Sequence, residues 1–148
     1  QIRAVNVVII IDASTIIDAF ENDALLLKIL TAKERLYAPS IIVREVNSQK
    51  GHLLKRTKMG IKKFNTLLKD IWQRVTLNDP SSRAIAQAQQ IISQLSLDQA
   101  DIDYIALCLD YAKQKPVFWT QDKPFAIGPN APVLRRKYSI FPNFNPHP

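Results

Sequence analysis

Residues Val5 to Thr15 read VNVVIIIDAST, a β-branched apolar run that stops at Asp12. An apolar run without alternation marks a strand buried on both faces, the normal state of a central strand in a parallel sheet. A carboxylate directly after such a strand stands at its carboxyl end, where open α/β sheets hold their ligands. Taken alone, Asp12 reads first as the N-cap of the helix that follows, Ala13 to Phe20, a task Ser14 could share. The stretch alone leaves both readings open.

Outward from it, strand and helix signals alternate. Ala24 to Ala32 reads as an apolar helix capped by Asp23, and Arg35 to Ala38 as a short strand closed by Pro39. Ser40 is expected to cap a helix running to Asn47, with Glu45 in its first turns. Glu45 is there either an exposed helix residue favoured by the dipole or an acid just beyond a strand end. Residues 50–69, KGHLLKRTKMGIKKFNTLLK, read as two helical pieces broken near Gly60. Arg74 to Leu77 is a third candidate strand, and Ser81 is expected to cap a helix ending near Leu95. Asp98 to Lys113 reads as one helix whose core face is Ile102, Ile105, Ala106, Leu109 and Ala112. Asp98 and Asp101 fit there as a variant capping box, with Asp101 at the edge of the core face. Pro116 to Thr120 (PVFWT) is a further buried strand, and it too runs into an acid, Asp122. Beyond it, Pro124 to Asn130 reads as irregular and Val133 to Ile140 as an edge strand. Residues 142–148, within the Pro- and Asn-rich end FPNFNPHP, read as a poorly ordered tail.

This alternation predicts an α/β fold: a single-domain, three-layer sandwich with a central parallel sheet, over all 148 residues. With 47% hydrophobic residues the chain can bury a sizeable core. Its one cysteine, Cys108, falls on an apolar helix side, which favours a buried thiol and a reducing compartment. No apolar run approaches the ~20 residues that span a bilayer, so the expectation is a cytoplasmic protein with no membrane partner. The chain starts at Gln1 rather than methionine.

The net charge of +7 favours a polyanionic partner. Lys55, Arg56, Lys58, Lys62 and Lys63 lie in a stretch, 50–69, that contains no acid, and Arg135 and Arg136 form a second cluster. Charge on a helix is commonly a solvated face; one-signed charge also suits a surface that tracks phosphates. In a parallel sheet, Asp12 and Asp122 emerge on the carboxyl edge, and Glu45 and Asp101 start helices leaving that same edge. Carboxylates gathered there repel and are driven to protonate unless a cation holds them. Oxygen donors suit Mg²⁺ or Mn²⁺, and with only His52, His147 and Cys108 to draw on no zinc site is credible. An acidic metal site in a basic protein is the layout for metal-assisted phosphodiester hydrolysis.

Other chemistries lack their residues. A phosphoaspartate hydrolase wants a second Asp two residues after Asp12, where Ser14 stands. No Gly-rich P-loop is present, and Ser14 has no G-x-S-x-G context.

Four segments, IIIDASTII, YAPSIIVREV, LDQADIDYIALCLDY and VFWTQDKPF, resemble in order and spacing the PIN-domain family, as found in VapC-type toxins and stand-alone prokaryotic relatives. The resemblance implies a metal-dependent ribonuclease with catalytic acids Asp12, Glu45, Asp101 and Asp122, and with Asp12, Asp101 and Asp122 as ligands of Mg²⁺ or Mn²⁺. Ser14 and Thr120 match accessory hydroxyl positions. The Ile105–Ala106 pair selects Asp101 as the third acid, with Asp103 as second choice. The seven cations named above would grip RNA. An antitoxin partner and a homodimer are implied by the resemblance only. The rival reading is a catalytically silent PIN-like module that binds RNA or protein.

Overall fold

The computed structural model describes residues 7–126 and 128–143. Strand β1 (Val8–Ile11) is buried at all four positions, so the continuous apolar run makes the central strand. It pairs parallel with β2 (Arg35–Ala38) on one side and β4 (Val117–Trp119) on the other. Strand β3 (Val75–Leu77) extends the sheet beyond β2, and β5 (Phe141–Asn143) extends it beyond β4. The order is β3-β2-β1-β4-β5, all parallel. The chain moves one way along the sheet from β1 to β3, then returns to β4 and continues the other way. The β1/β4 boundary is therefore the switch point, where two loops leave in opposite directions and open a crevice.

Right-handed crossovers place the helices before β3 on one face and those after it on the other. On the first face α1 (Ala13–Ala19) packs on α2 (Asp23–Thr31) and α3 (Ile41–Ser48). There α4 (Lys50–Thr57) leads into α5 (Ile61–Arg74), whose Phe64 stacks on Phe20 at 4.5 Å. On the second face α6 (Ser82–Leu95) lies along α7 (Ile102–Asp110). Asn130 Nδ2 donates to the Leu95 carbonyl at 3.4 Å, tying α9 (Asn130–Tyr138) to the end of α6. Among the described residues no helix is long and apolar enough to cross a membrane.

Several local expectations change. Pro124 to Asn130 is not wholly irregular, because Lys123–Ala126 forms a short helix, α8. Val133 to Ile140 is not an edge strand; it belongs largely to α9. Ala131 and Leu134 are buried on one side of that helix, and Pro132 falls in the first turn, where a missing N–H costs nothing. The edge strand comes later, at Phe141–Asn143, in residues expected to begin the tail; 144–148, like Val5 and Asn6 of the opening run, lie outside the described residues. The helix expected over Asp98 to Lys113 is a 3₁₀ turn (Gln99–Asp101), α7 and a second 3₁₀ turn (Ala112–Gln114). Its core face is wider than expected, with Tyr104 to Cys108 all buried, because α7 is covered by both the sheet and α6. Asn22, not Asp23, caps α2. Ser40 makes no cap bond; its N–H and hydroxyl both donate to Asp79 Oδ1, at 2.9 and 2.8 Å.

Candidate active site

Strand β1 ends at Ile11 and delivers Asp12 to the switch point at 4% exposure. Its backbone N–H donates to the Trp119 carbonyl at 3.2 Å, so the first residue past β1 is locked to the end of β4. Asp12 does cap α1, accepting the Thr15 N–H at 3.1 Å. Capping uses only part of the carboxylate. Oδ1 also accepts the Ser14 hydroxyl at 2.7 Å, and Oδ2 accepts the Thr120 hydroxyl. The Thr15 hydroxyl lies 3.1 Å from Oδ1 and 3.0 Å from the Trp119 carbonyl oxygen. It has one proton, and Oδ1 already holds two donors, so that proton goes to Trp119. Of the roughly four acceptor sites of a carboxylate, one on Oδ2 then stays open.

Ser14 and Thr120, the two accessory hydroxyls, both donate to Asp12. Ser14 Oγ accepts the Gln121 N–H at 3.0 Å while donating to Asp12. Thr120, fully buried, accepts the Asp122 N–H at 2.9 Å while donating to Asp12. The loop carrying Asp122 is thus fastened to Asp12 by two hydroxyl relays. Thr15 is a third member of this network that the sequence did not single out.

All four predicted acids, Asp12, Glu45, Asp101 and Asp122, line one pocket of about 470 Å³ together with Ser14 and Tyr104. Asp101 sits at the junction of the 3₁₀ turn and α7 and makes no side-chain cap bond; Asp98 caps that turn, accepting the Ala100 N–H at 3.0 Å. Asp103, the second choice for the third acid, does not line this pocket. It faces a neighbouring one with Arg44 and Asp79.

Burial and the nearby charges of Asp122, Asp12, Asp98 and Glu45 push Asp101 up to about 7. Burial also raises Asp12, against the pull of its hydrogen bonds, and raises Asp122, with Asp98 adding to it. Burial is the larger cause at each of these acids, with repulsion from neighbouring carboxylates adding to it at Asp101 and Asp122. Among the described residues no three acid side chains stand close enough to close on one ion. The lining carries oxygen donors alone, a chemistry that suits a hard cation such as Mg²⁺ or Mn²⁺.

Sequence reasoning missed Tyr104. Its ring is 2% exposed, 6.4 Å from that of Phe118, and its hydroxyl donates to Glu45 Oε1. That bond joins α7 on one face of the sheet to α3 on the other, at the pocket the acids line. A tyrosine within an apolar helix stripe reads as core, and only the fold shows what its hydroxyl meets.

The seven expected RNA-binding cations are arranged differently. Lys55, Arg56, Lys58, Lys62, Lys63, Arg135 and Arg136 are all exposed, but none lines the acid pocket. Arg56 is paired with Glu21 at 2.8 Å, so the run that lacks acids in sequence borrows one in space. Arg135 and Arg136 fall in the last turn of α9, where the helix dipole already favours them.

No curated protein and no solved structure matches this chain at the level of significance applied. A profile of one family, described as PIN domain, does match, over residues 10–136, which includes all four acids and both hydroxyls. The fold is the parallel α/β sandwich that the motifs implied, and the chain belongs to the PIN-domain family.

Proposed function

We propose that this nuclease-like fold serves a divalent-cation-dependent endoribonuclease, with Asp12, Glu45, Asp101 and Asp122 as its catalytic acids. The observation that carries the reading is their meeting in one pocket from four separate segments of the chain. A purely electrostatic RNA binder gains nothing from gathering carboxylates that repel phosphate and one another.

Asp12, through its open Oδ2 position, Asp101 and Asp122 would hold Mg²⁺ or Mn²⁺, in part through the water shell of the ion. Such a cation supplies a lowered pKa for water and neutralises charge developing on the phosphate. The chain's own residues do the rest. Ser14 and Thr120 fix the angle of Asp12 and the position of Asp122. Tyr104 occupies one oxygen of Glu45 and leaves Oε2 to accept the proton of an attacking water. Exposed cations on α4, α5 and α9 hold the approaching RNA by its phosphates, which positions without selecting sequence.

The test compares wild type with Asp12→Asn on single-stranded RNA, with Mn²⁺ and with EDTA. Cleavage that needs Mn²⁺ and falls at least ~100-fold in the variant, with the melting temperature kept or raised, supports the reading. Equal cleavage by both proteins, or cleavage in EDTA, rejects it. RNA binding with steep salt dependence and no products identifies the silent module instead. In the narrower form of the proposal the nuclease is the toxin of a toxin–antitoxin pair; induced wild type, and not Asp12→Asn, then arrests growth.

A further inference from the structure

Beside the acid pocket lies a second hollow of about 360 Å³, built by the next residues of the same two helices. Glu45 and Tyr104 line the first; Arg44 and Asp103 line the second. Ser40 and Ile41 follow β2, and Asp79 and Pro80 follow β3, so this hollow stands at the same carboxyl edge, beside the strand that delivers Asp12, and a nucleotide seated there would neighbour a phosphate held over the acids.

The lining has two chemistries. Ile41, Pro80 and Ile85 supply apolar surface, the kind that takes the face of a planar ring. Arg44 and Asp103 supply opposite charges, yet they do not pair. No carboxylate among the described residues is within ion-pair distance of Arg44, and the Asp103 carboxylate makes no hydrogen bond or ion pair with them. Two opposite charges lining one hollow and standing apart leave room for a group between them. Asp79 is already engaged, since Ser40 donates to it from backbone and hydroxyl, and this holds its carboxyl below the usual range.

A guanidinium offers paired donors and a carboxylate paired acceptors. Among the RNA bases, guanine alone presents two adjacent acceptors, O6 and N7, beside two adjacent donors, N1–H and the 2-amino group. Cytosine offers an acceptor pair, N3 and O2, but no pair of adjacent donor groups, and adenine and uracil offer no two adjacent acceptors. A bare phosphate fits less well, because Asp103 and Asp79 would repel it.

We infer that this hollow is a guanine-binding subsite next to the scissile phosphate, Arg44 reading O6 and N7 and Asp103 reading N1 and the 2-amino group. The inference rests on the ribonuclease reading above and names its preferred substrate.

The experiment uses single-stranded uridine oligonucleotides with one central guanosine, inosine or uridine, cut by wild type, Arg44→Ala and Asp103→Asn in Mn²⁺. Binding of the same labelled RNAs to Asp12→Asn, alone and combined with each pocket change, is read by fluorescence anisotropy. Expected is cleavage within one or two nucleotides of the guanosine, favoured about 10-fold over all-uridine RNA, as one bidentate contact gives. Inosine, lacking the 2-amino group, should lose most of that advantage in wild type. Each pocket variant should bring the guanosine-to-uridine ratio toward one in both cleavage and binding, with melting temperatures showing that it folds. Cleavage by wild type without guanosine preference, or a preference that survives both variants, overturns the subsite and leaves the ribonuclease standing. Failure of wild type to cut any of these RNAs overturns the ribonuclease reading and the subsite with it.

Discussion

Asp12 shows how one side chain can satisfy a structural and a chemical reading together. The sequence posed capping against a site, and the carboxylate has room for both, because the cap occupies one of its several acceptor positions. Asp12 and Asp122 were legible because an acid ending an apolar strand has a fixed place in a parallel sheet. Tyr104 was not legible, since its hydroxyl partner comes from residue 45, far along the chain. Replacing Tyr104 by Phe removes that hydroxyl and keeps the buried ring. Loss of one hydrogen bond to a carboxylate should cost about 1–3 kcal/mol of stability at most. If Tyr104 positions Glu45, kcat should fall roughly 10-fold or more while KM for RNA stays within twofold. A variant that melts lower yet turns over at the wild-type kcat would leave the hydroxyl a purely structural bond.

The elements were read best where their own sequence carried the stop signals. β2 falls at Arg35–Ala38 as expected, because Pro39 closes it, and α6 runs from the Ser81 cap, which accepts the Ala84 N–H at 3.1 Å, to Leu95. The reading failed from residue 124 to 140, where three prolines among short apolar groups resemble loop and strand, and where only packing on α6 and β4 selects helix and the edge strand that follows it. Helix ends carried a different concealed signal. Lys58, Ser96, Lys115 and Ser139 all adopt positive φ, 49° to 57°, at positions where glycine is the common choice. Each non-glycine residue held there costs about 1 kcal/mol. Lys115 is exposed and lines none of the hollows at the carboxyl edge. Lys115→Gly should therefore raise stability by about 0.5–1 kcal/mol, partly offset by unfolded-chain entropy, with RNA cleavage unaltered. A lower urea midpoint would show that the lysine stem contributes packing that the backbone argument ignores.

Across the whole molecule, charge is segregated: net +7 overall, with acids concentrated at the carboxyl edge of the sheet. That separation makes folding stability depend on pH in a direction opposite to that of an ordinary salt-bridged carboxylate. Asp101 titrates near 7 in the folded chain against 3.8 for an unperturbed aspartate. Between these values the native state keeps a proton that the unfolded chain has released. Stability is then highest below the unfolded value, falls as pH rises across the window, and levels off above about 7. Asp12 and Asp122, both raised, act in the same sense. Cation-free protein should thus melt several degrees lower at pH 8 than at pH 5, and Asp101→Asn should flatten that slope and melt a few degrees above wild type at pH 8. Mn²⁺ should reverse the order, stabilising wild type more at pH 8 than at pH 5, because protons compete for the same oxygens. Asp101→Asn should lose most of that gain. A melting temperature indifferent to pH in the cation-free protein, or equal Mn²⁺ stabilisation of both proteins, would mean that the four carboxylates do not act as one charged cluster.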